Sequence, residues 1–181
     1  MKKVLRAKTP VGTVLIAEQL YRNLLPYCQT GKKCETGGAL AGYKLATNTW
    51  VISTLMHPSP KNKSGRTWLE RDLVAAQEFV DRVHQQSEGQ FTYIGEWHTH
   101  PEELPRPSSQ DTGMLEDILK GSKPHLKFLF GIILGKTGKL CLWHQDRTGL
   151  IKVYHPTLPN RDNTLKKGHR RRRWFHLWRK Q

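Results

Sequence analysis

Runs of apolar and β-branched residues recur along the chain with the length and spacing of short β-strands. Bounded by glycine, proline or asparagine, such runs are typical of strands. Residues 36–43 are rich in glycine, which indicates close approach of another backbone, and the next run is expected to pair with them in antiparallel register. The pattern predicts strands at residues 11–17, 36–43, 48–56, 91–94 (91–100 if it continues to His100), 127–134, 139–144 and 150–154.

Other segments repeat apolar residues every three or four positions, which predicts amphipathic helices at residues 18–29, 68–86 and 108–120. Residues 57–67, with two prolines and three basic side chains, are expected to form an exposed loop. The order of elements predicts an α+β fold, an α/β/α sandwich with a single curved mixed β-sheet flanked by helices. The inward faces are expected to be Leu20, Tyr21, Leu24, Leu25 and Cys28, then Leu69, Leu73, Val74, Phe79, Val80 and Val83, then Met114, Leu115, Ile118 and Leu119.

The most chemically informative stretch is residues 95–111, where a predicted strand ends. If that strand continues to His100, alternation places His98 and His100 on one face. The three prolines that follow exclude a regular helix or a central strand from the turn. Ser108 can then cap a helix whose first turn contains Asp111. Two imidazoles and one carboxylate that converge are the protein ligands of a catalytic zinc site.

Each part of this pattern also has an ordinary explanation. A His-x-His pair is commonly surface or core decoration, and Ser-x-x-Asp commonly only caps a helix. The order of strand, stiff turn and helix start favours the metal site, because the ligands then fall where they can meet. Trp97 is interpreted as core packing, and Glu102 and Glu103 as a solvated acidic rim.

Length and composition indicate one domain, expected at residues 1–158, with a short appendage. The 181 residues suffice for a full core. No apolar run approaches the roughly 20 residues of a membrane-spanning helix, and no signal-peptide core follows the basic N-terminus. Three cysteines without Cys-x-x-Cys spacing indicate a reducing compartment, so a cytoplasmic location is expected.

The appendage, residues 159–181, is a basic aromatic tail. From Arg161 onward it holds nine Lys or Arg and one acid, a net charge of +8, which leaves +7 of the total of +15 to the rest of the chain. If the tail is helical, Trp174, Leu177 and Trp178 share one face. Such a segment could bind nucleic acid, an anionic membrane surface or an acidic partner groove. Alternatively, it is a solvated tail whose apolar end docks on its own domain.

The motif residues together resemble the signature of the JAMM/MPN+ (JAB, Mov34/PAD-1) zinc metalloprotease family. Glu35 precedes Gly-Gly-x-Leu-x-Gly, and His98 and His100 stand in Trp-His-Thr-His-Pro. Ser108 and Asp111 follow in Pro-x-Pro-Ser-x-x-Asp. Every position of the signature is therefore filled.

The resemblance covers roughly residues 10–155 and implies an MPN/JAB-like, cytidine deaminase-like fold. It implies a zinc isopeptidase that cleaves bonds at the C-terminus of ubiquitin or a ubiquitin-like protein. The residues around the histidines are most similar to the bacterial branch, the JAB deconjugases found beside E1- and E2-like enzymes in CBASS anti-phage and integrative-element operons. There the known target class is a nucleotidyltransferase conjugated through its C-terminus.

The resemblance also implies roles for the site residues. His98, His100 and Asp111 would hold one Zn2+ per chain. Glu35 would be the general base, and Ser108 would donate a hydrogen bond to the oxyanion of the tetrahedral intermediate. The ordinary alternatives are an edge carboxylate for Glu35 and helix capping alone for Ser108.

The substrate is expected to be an extended C-terminal peptide that lies along an exposed strand edge near the site. The expected clamps are the loop at residues 61–67, which contains Arg66, and the turn at residues 101–107, which contains Pro105 and Arg106.

Two other functions remain open at this point. A nucleic-acid-associated JAB-fold binding module would use the basic tail for recognition. A zinc peptidase of thiocarboxylate-linked substrates, or a small-molecule amidase, would use the same zinc chemistry. The complete set of site residues favours the isopeptidase, because a pure binding module would not need all of them.

Overall fold

The computed structural model describes residues 4–45, 48–122 and 127–156, and it contains a mixed eight-stranded sheet with helices on both faces. The order in the sheet is β1-β2-β4-β3-β7-β8-β9-β10, and β5 and β6 form a separate two-stranded hairpin. In chain order the elements are β1 (Val4–Thr9), β2 (Gly12–Ala17), α1 (Glu18–Leu24), a 3-10 turn (Leu25–Tyr27), β3 (Gly37–Leu45), β4 (Thr49–Leu55), β5 (Lys63–Ser64), β6 (Leu69–Glu70), α2 (Leu73–Gln86), β7 (Thr92–Thr99), α3 (Ser109–Gly121), β8 (Phe128–Leu134), β9 (Leu140–Asp146) and β10 (Ile151–Tyr154).

The helices enclose the sheet from both sides, as predicted. Leu24 of α1 packs in the same buried cluster as Ile132, whereas Leu115 of α3 packs with Ile133. Neighbouring residues of a strand point to opposite faces, so α1 and α3 lie on opposite sides of the sheet. Tyr93 packs against the buried clusters of both α3 and α2, which places α2 on the same side as α3. The predicted α+β fold with a mixed sheet between helices is therefore confirmed.

Small residues in β3 allow this strand to lie tightly against β7, the strand that carries both histidines. Gly37 pairs with His98 in antiparallel register, and a Cβ atom added at Gly37 would collide with the carbonyl oxygen of Trp97. The close backbone approach predicted from the glycines is confirmed at this position. The pairing also brings Glu35, just before β3, next to the end of β7.

β7 and β8 run parallel in the middle of the sheet, and α3 connects them. The carboxyl ends of parallel strands meet at one edge of the sheet, which is where open α/β sheets commonly bind ligands. Here the backbone N–H of His100 donates to the carbonyl of Leu134 at 3.0 Å. The metal motif thus begins at the edge where β7 and β8 both end.

The structure contains a first strand, β1, that the apolar pattern did not predict. Leu5 and Ala7 are buried, while Arg6 and Lys8 are exposed, so β1 alternates as a half-buried edge strand. It pairs antiparallel with β2, which begins at Gly12.

The first helix is shorter than predicted for residues 18–29. α1 ends at Leu24 and a 3-10 turn follows. Pro26 lacks the N–H group that would continue the α-helical pattern. Leu25 is consequently 38% exposed, so the prediction that it faces the core was wrong.

The second helix begins at Leu73 and not at residue 68. Asp72 is its N-cap, and its carboxylate accepts a hydrogen bond from the N–H of Ala75 at 3.2 Å. The residues before this cap form β6, which pairs with β5 from the predicted loop at 57–67. The start of the helix is therefore set by a local side-chain bond and not by the apolar spacing.

Two residues of the predicted apolar stripe of α2 do not face the core. Leu73 and Val74 are 72% and 66% exposed. Phe79 is buried, and Val80 and Val83 pack against its cluster, as predicted.

The other predicted elements are present, with ends within two residues of the predicted bounds. The predicted basic tail at 159–181, and with it the domain boundary at 158, lies outside the described residues. Within the described ranges, no helix has the length and apolar character needed to cross a membrane.

Candidate metal centre

His98 and His100, the two predicted histidine ligands, lie side by side on one face of β7. Their Nε2 atoms are 3.0 Å apart, and the residues are only 5% and 7% exposed. The period of two along a strand turns both rings the same way, as predicted. Trp97 points to the opposite face, where it packs in the core and donates from Nε1 to the carbonyl of Met56 at 3.0 Å.

Asp111 approaches the histidines from the first turn of α3. Ser108 caps this helix with a reciprocal pair of bonds: its Oγ accepts the Asp111 N–H, and the Asp111 carboxylate accepts the Ser108 N–H. Asp111 Oδ1 lies 3.0 Å from Nε2 of His98. Asp111 Oδ2 lies 3.5 Å from Nε2 of His100. The structure thus brings the three predicted ligands together.

This cluster has the donor set and the convergence of a metal site. The ligand atoms of His98, His100 and Asp111 all lie within 4.8 Å of one another. Two imidazole nitrogens and one carboxylate oxygen, held on a largely buried wall, match the protein ligands of catalytic zinc. The cluster is therefore compatible with a metal ion.

Charge and burial favour the protonation states that a metal ligand needs at two of the three residues. Burial lowers the pKa of His98, against the effect of Asp111, and Arg71 lowers it further. Burial would raise the pKa of Asp111, but hydrogen bonds from both histidines hold it well below its usual range. Burial also acts to lower the pKa of His100, but hydrogen bonds with Asp111 and Glu102 outweigh this effect and raise it. A metal would therefore compete with a proton mainly at His100.

Glu35 lies beside the cluster and is largely buried. Its backbone N–H donates to the carbonyl of Gly65 at 2.7 Å, and its Oε1 lies 3.8 Å from Nε2 of His100. Burial raises the pKa of Glu35 to about 7, against an opposing effect of His100 and with additions from Asp111 and Glu102. A carboxyl group with a pKa near neutrality can both accept and release a proton.

Ser108 lines the cavity beside the ligands, but its hydroxyl is engaged in the structure. Ser108 Oγ–H donates to Asp111 Oδ2 at 2.8 Å. The predicted helix cap is confirmed. The hydroxyl has one proton to donate, so it can reach an oxyanion only after it turns away from Asp111.

Glu102 contacts a ligand, although the sequence indicated only a solvated rim. Its Oε2 lies 3.2 Å from Nδ1 of His100. A partner at this second ring nitrogen fixes the tautomer and leaves Nε2 free to bind a metal. Glu103 instead pairs with Lys139 at 2.6 Å. The signal for Glu102 was its position two residues after a ligand histidine.

A cavity of about 380 Å³ opens beside the ligands, and a buried ion pair forms part of its wall. Arg71 pairs with Glu96, and the hydroxyl of Tyr93 donates to Glu96 Oε1 at 2.7 Å. Sequence patterns could not predict this network, because Arg71 precedes α2 while its partners lie in β7. The pair fixes one wall of the cavity to the strand that carries the histidines.

Arg66, Pro105 and Arg106, which were predicted to bind substrate, are not among the described residues that line the cavity. Nη1 of Arg66 donates to the carbonyl of Gly31 at 2.8 Å, Pro105 is buried against Gly135, and Arg106 is exposed. Their role in substrate binding stays a prediction.

Comparison with known sequences identifies the family. Residues 17–154 match the family described as "Prokaryotic homologs of the JAB domain". The chain belongs to this family. The match to the JAB domain includes the ligand cluster, Glu35 and Ser108, and it confirms the resemblance seen in the motifs.

Curated relatives of this JAB protein carry names that state an activity. A CD-NTase/cGAS isopeptidase of Escherichia coli (strain TW11681) is 38% identical over 119 residues, which are 65% of this chain and 76% of the relative. One of Vibrio cholerae is 32% identical over 99 residues, 54% of this chain and 63% of the relative. A protein of Sinorhizobium fredii named "Probable metalloprotease" is 30% identical over 108 residues, 59% and 66% of the two chains. The matches to the last two span just under two thirds of those proteins.

A solved structure shares the fold of this JAB protein. The solution structure of a protein from Desulfitobacterium hafniense superposes with a TM-score of 0.53, over 85% of this chain and 98% of that chain. The two sequences are 15% identical, so the likeness concerns the fold alone.

Proposed function

We propose that this JAB protein is a zinc-dependent isopeptidase. It would cleave a ubiquitin-like C-terminal linkage and thereby release the conjugated target protein. The observation that carries the proposal is a convergent ligand cluster, His98, His100 and Asp111, with the carboxyl group of Glu35 3.8 Å from one ligand. Isopeptidase and metalloprotease activity in the JAB family, as the names of the relatives indicate, supports the same reaction class.

His98, His100 and Asp111 would hold the zinc ion. When bound, zinc would supply a Lewis acid and lower the pKa of a coordinated water to about 7. The chain contributes the fixed ligand geometry: β7 sets the two rings, α3 sets the carboxylate, and Glu102 orients the ring of His100 through Nδ1. Because both imidazole rings are buried and held in place, the side chains need to move little when the metal ion binds.

Glu35 would move the proton. During attack on the scissile carbonyl carbon, its carboxylate takes a proton from water while the water oxygen forms the new C–O bond. When the C–N bond breaks, the same carboxyl group gives that proton to the leaving amine. The pKa of about 7 that burial produces suits both steps.

Ser108 would stabilise the oxyanion of the tetrahedral intermediate. Its hydroxyl lies at the cavity and donates to Asp111 Oδ2 at 2.8 Å. Rotation about its χ1 angle would exchange this partner for the developing oxyanion, an interaction stronger in the transition state than in the ground state. The backbone N–H of Ser108 would keep its hydrogen bond to Asp111 Oδ2, at 2.6 Å. The carboxylate of Asp111 would therefore stay in place as the hydroxyl turns.

The substrate would be an extended C-terminal segment of a conjugated protein. Leu69 and Glu70 of β6 line the same cavity as the start of α3, and a strand edge beside a site binds extended peptides through backbone hydrogen bonds. The names of the relatives favour a nucleotidyltransferase of the CD-NTase/cGAS type as the conjugated protein.

The test uses the zinc-loaded protein and a CD-NTase joined through its C-terminus to the lysine side chain of a second protein. We expect the wild type to release the CD-NTase, and Glu35→Gln to slow turnover by about 10²- to 10⁴-fold while keeping its zinc. Glu103→Gln, a rim carboxylate paired with Lys139, is the control and should cleave normally. A zinc-loaded wild type that leaves this and a ubiquitin-linked substrate intact would contradict the proposal, as would full turnover by Glu35→Gln.

A further inference from the structure

The segment that carries Glu35 has no helix or strand of its own. It lies between the 3-10 turn and β3. Its backbone is bound on one side by the Glu35 N–H to the Gly65 carbonyl at 2.7 Å, and on the other by the Thr99 N–H to the Thr36 carbonyl at 2.9 Å. Such a segment needs further contacts if its carboxylate is to keep one position.

A buried amide, that of Gln29, supplies these contacts. Gln29 is 2% exposed, and both N–H groups of Nε2 are used: one bonds the Lys33 carbonyl at 3.2 Å and the other the Arg66 carbonyl at 2.8 Å. Its Oε1 accepts a hydrogen bond from Thr99 Oγ1 at 3.4 Å. One side chain therefore joins the Glu35 segment, the loop at 61–67 and the end of β7.

Thr99 extends the same network to the other side of Glu35. It is fully buried and stands between the two ligand histidines in sequence, with its side chain on the opposite face. Its Oγ1 also accepts the N–H of Thr36 at 3.1 Å. Glu35 is thus bracketed by bonds at Lys33 and Thr36, and both lead to Gln29.

We propose that Gln29 is a positioning residue for Glu35, which fixes the distance between this carboxylate and the metal ligands. The inference rests on the proposed function of Glu35 as the base. Without the amide, the carbonyls of Lys33 and Arg66 would lose this hydrogen-bond partner, and the segment would shift so that water could take its place. A displacement of about 1 Å at a reacting group can cost about 100-fold in rate.

The first test is a pair of matched substitutions. Gln29→Met keeps the length of the side chain and removes its hydrogen bonds. Gln19→Met makes the same change on the exposed face of α1, where the amide of Gln19 donates to Asn23 Oδ1 at 2.9 Å, one turn along the same helix. We expect Gln29→Met to lower kcat by about ten- to a hundred-fold, with KM within about twofold and zinc content unchanged. Gln19→Met should match the wild type.

A double-mutant cycle separates positioning of the base from general damage to the fold. In the Glu35→Gln background the position of residue 35 no longer matters, so Gln29→Met should cause no further loss of kcat. If its effect is the same in both backgrounds, Gln29 acts independently of Glu35 and the proposal is overturned. Thr99→Val, which removes the second link with little change of shape, should reproduce the result even if Gln29→Met does not fold.

Hydrogen exchange provides a measurement that does not depend on activity. In Gln29→Met the amides of Glu35 and Thr36 should exchange faster than in the wild type, whereas in Gln19→Met they should not. Unchanged exchange would overturn the proposal. If the wild type cleaves no conjugate, the proposed function fails, and the exchange rates still decide whether Gln29 holds this segment.

Discussion

Single residues set up the metal centre through bonds on the side that faces away from the ligand atoms. Glu102 holds the ring of His100 at Nδ1, and Ser108 holds the carboxylate of Asp111 through both its N–H and its hydroxyl. The ligand atoms of His100 and Asp111 are consequently directed before any metal arrives. Such outer partners commonly affect metal affinity by about 10- to 100-fold.

Replacement of one ligand should abolish metal binding. We expect the wild type to contain about one zinc ion per chain, and His98→Ala and Asp111→Ala to contain almost none, because two remaining ligands rarely hold zinc. His84→Ala is the control, since the imidazole of His84 lies away from the cluster, with Nδ1 2.9 Å from the carbonyl of Phe91. Elemental analysis of the freshly purified proteins measures this. Full zinc in both ligand variants would show that the site lies elsewhere.

Another buried histidine, His144, should make the fold sensitive to acid. It is fully buried between Phe128 and Phe130, and neither ring nitrogen has a hydrogen-bond partner among the described residues. Burial lowers the pKa of His144, with Asp146 opposing and Lys152 adding to the effect. Below about pH 6.5 His144 binds a proton in the unfolded chain but stays neutral in the folded chain. The free energy of unfolding therefore falls as the pH falls.

His144→Leu should remove this loss and raise the free energy of unfolding by about 1 kcal/mol, because an unpaired polar ring is replaced by an apolar side chain. Urea unfolding at about pH 7.5 and about pH 5.5 measures both effects. The variant should lose less stability between the two pH values than the wild type. Equal losses in the two proteins would contradict this account of His144.

The sequence predicted those residues whose placement depends on local geometry. His98 and His100 follow from the period of a strand, and Asp111 from the first turn of a capped helix. Glu102 offered only its position two residues after His100 as a signal, and Gln29 offered none. Their contacts depend on the path of a turn and on the meeting of segments far apart in the chain, which periodicity does not encode.

At the scale of elements, the N-cap residues determine where the second and third predicted helices begin. Ser108 starts α3 within one residue of the predicted position. Apolar spacing extended the second predicted helix back to residue 68, whereas Asp72 caps it and Leu73 is its first residue. Asp72 is a strong N-cap residue, so the signal was present. The helical spacing of Leu69 and Leu73 nevertheless favoured an earlier start. In the structure Leu69 belongs to the β5–β6 hairpin, and both side chains line the cavity.

Removing the cation of the buried ion pair between Arg71 and Glu96 should cost more stability than removing the cation of an exposed pair in the same region. Arg71→Met would leave the carboxylate of Glu96 buried without its cation, at a cost of about 3–5 kcal/mol. Lys63→Met breaks the exposed pair with Glu70, whose side chains are 71% and 66% exposed, and should cost less than about 1 kcal/mol. Urea unfolding of the zinc-free proteins compares them.

Removal of both charges should recover most of the loss. In the double variant Arg71→Met with Glu96→Met, no buried charge remains unpaired. If Arg71→Met costs no more than Lys63→Met, the pair is not a structural link between the cavity wall and β7.

At the scale of the whole molecule, positive charge is concentrated in the sequence after the family match. The family match ends at residue 154, and the net charge of +8 from Arg161 onward follows it. No residue of the ligand cluster lies in that part of the sequence. We therefore propose that residues 1–158 form the catalytic domain and that the tail at 159–181 binds an anionic partner.

A chain that ends at Asn160 should fold, hold about one zinc and cleave a minimal conjugate at a near-normal rate. It should bind nucleic acid or anionic vesicles more weakly than the full chain at low salt, and the difference should shrink as salt is added. Binding isotherms of both chains at several salt concentrations test this. Loss of zinc or of the fold on truncation would show that the tail belongs to the domain, and identical isotherms at every salt concentration would show that it binds neither partner.

The site residues lie far apart along the chain, and this separation affects the order in which the site forms during folding. The metal ligands fall within residues 98–111, whereas Glu35 stands 63 positions before His98. Contacts between near neighbours close at a small entropic cost, and pairings between distant segments form later. A refolding chain would therefore assemble its metal-binding half while β3 is still undocked, and it would hold zinc before it could hydrolyse a bond. In a refolding time course of the zinc-supplied protein, zinc uptake should therefore precede the appearance of activity.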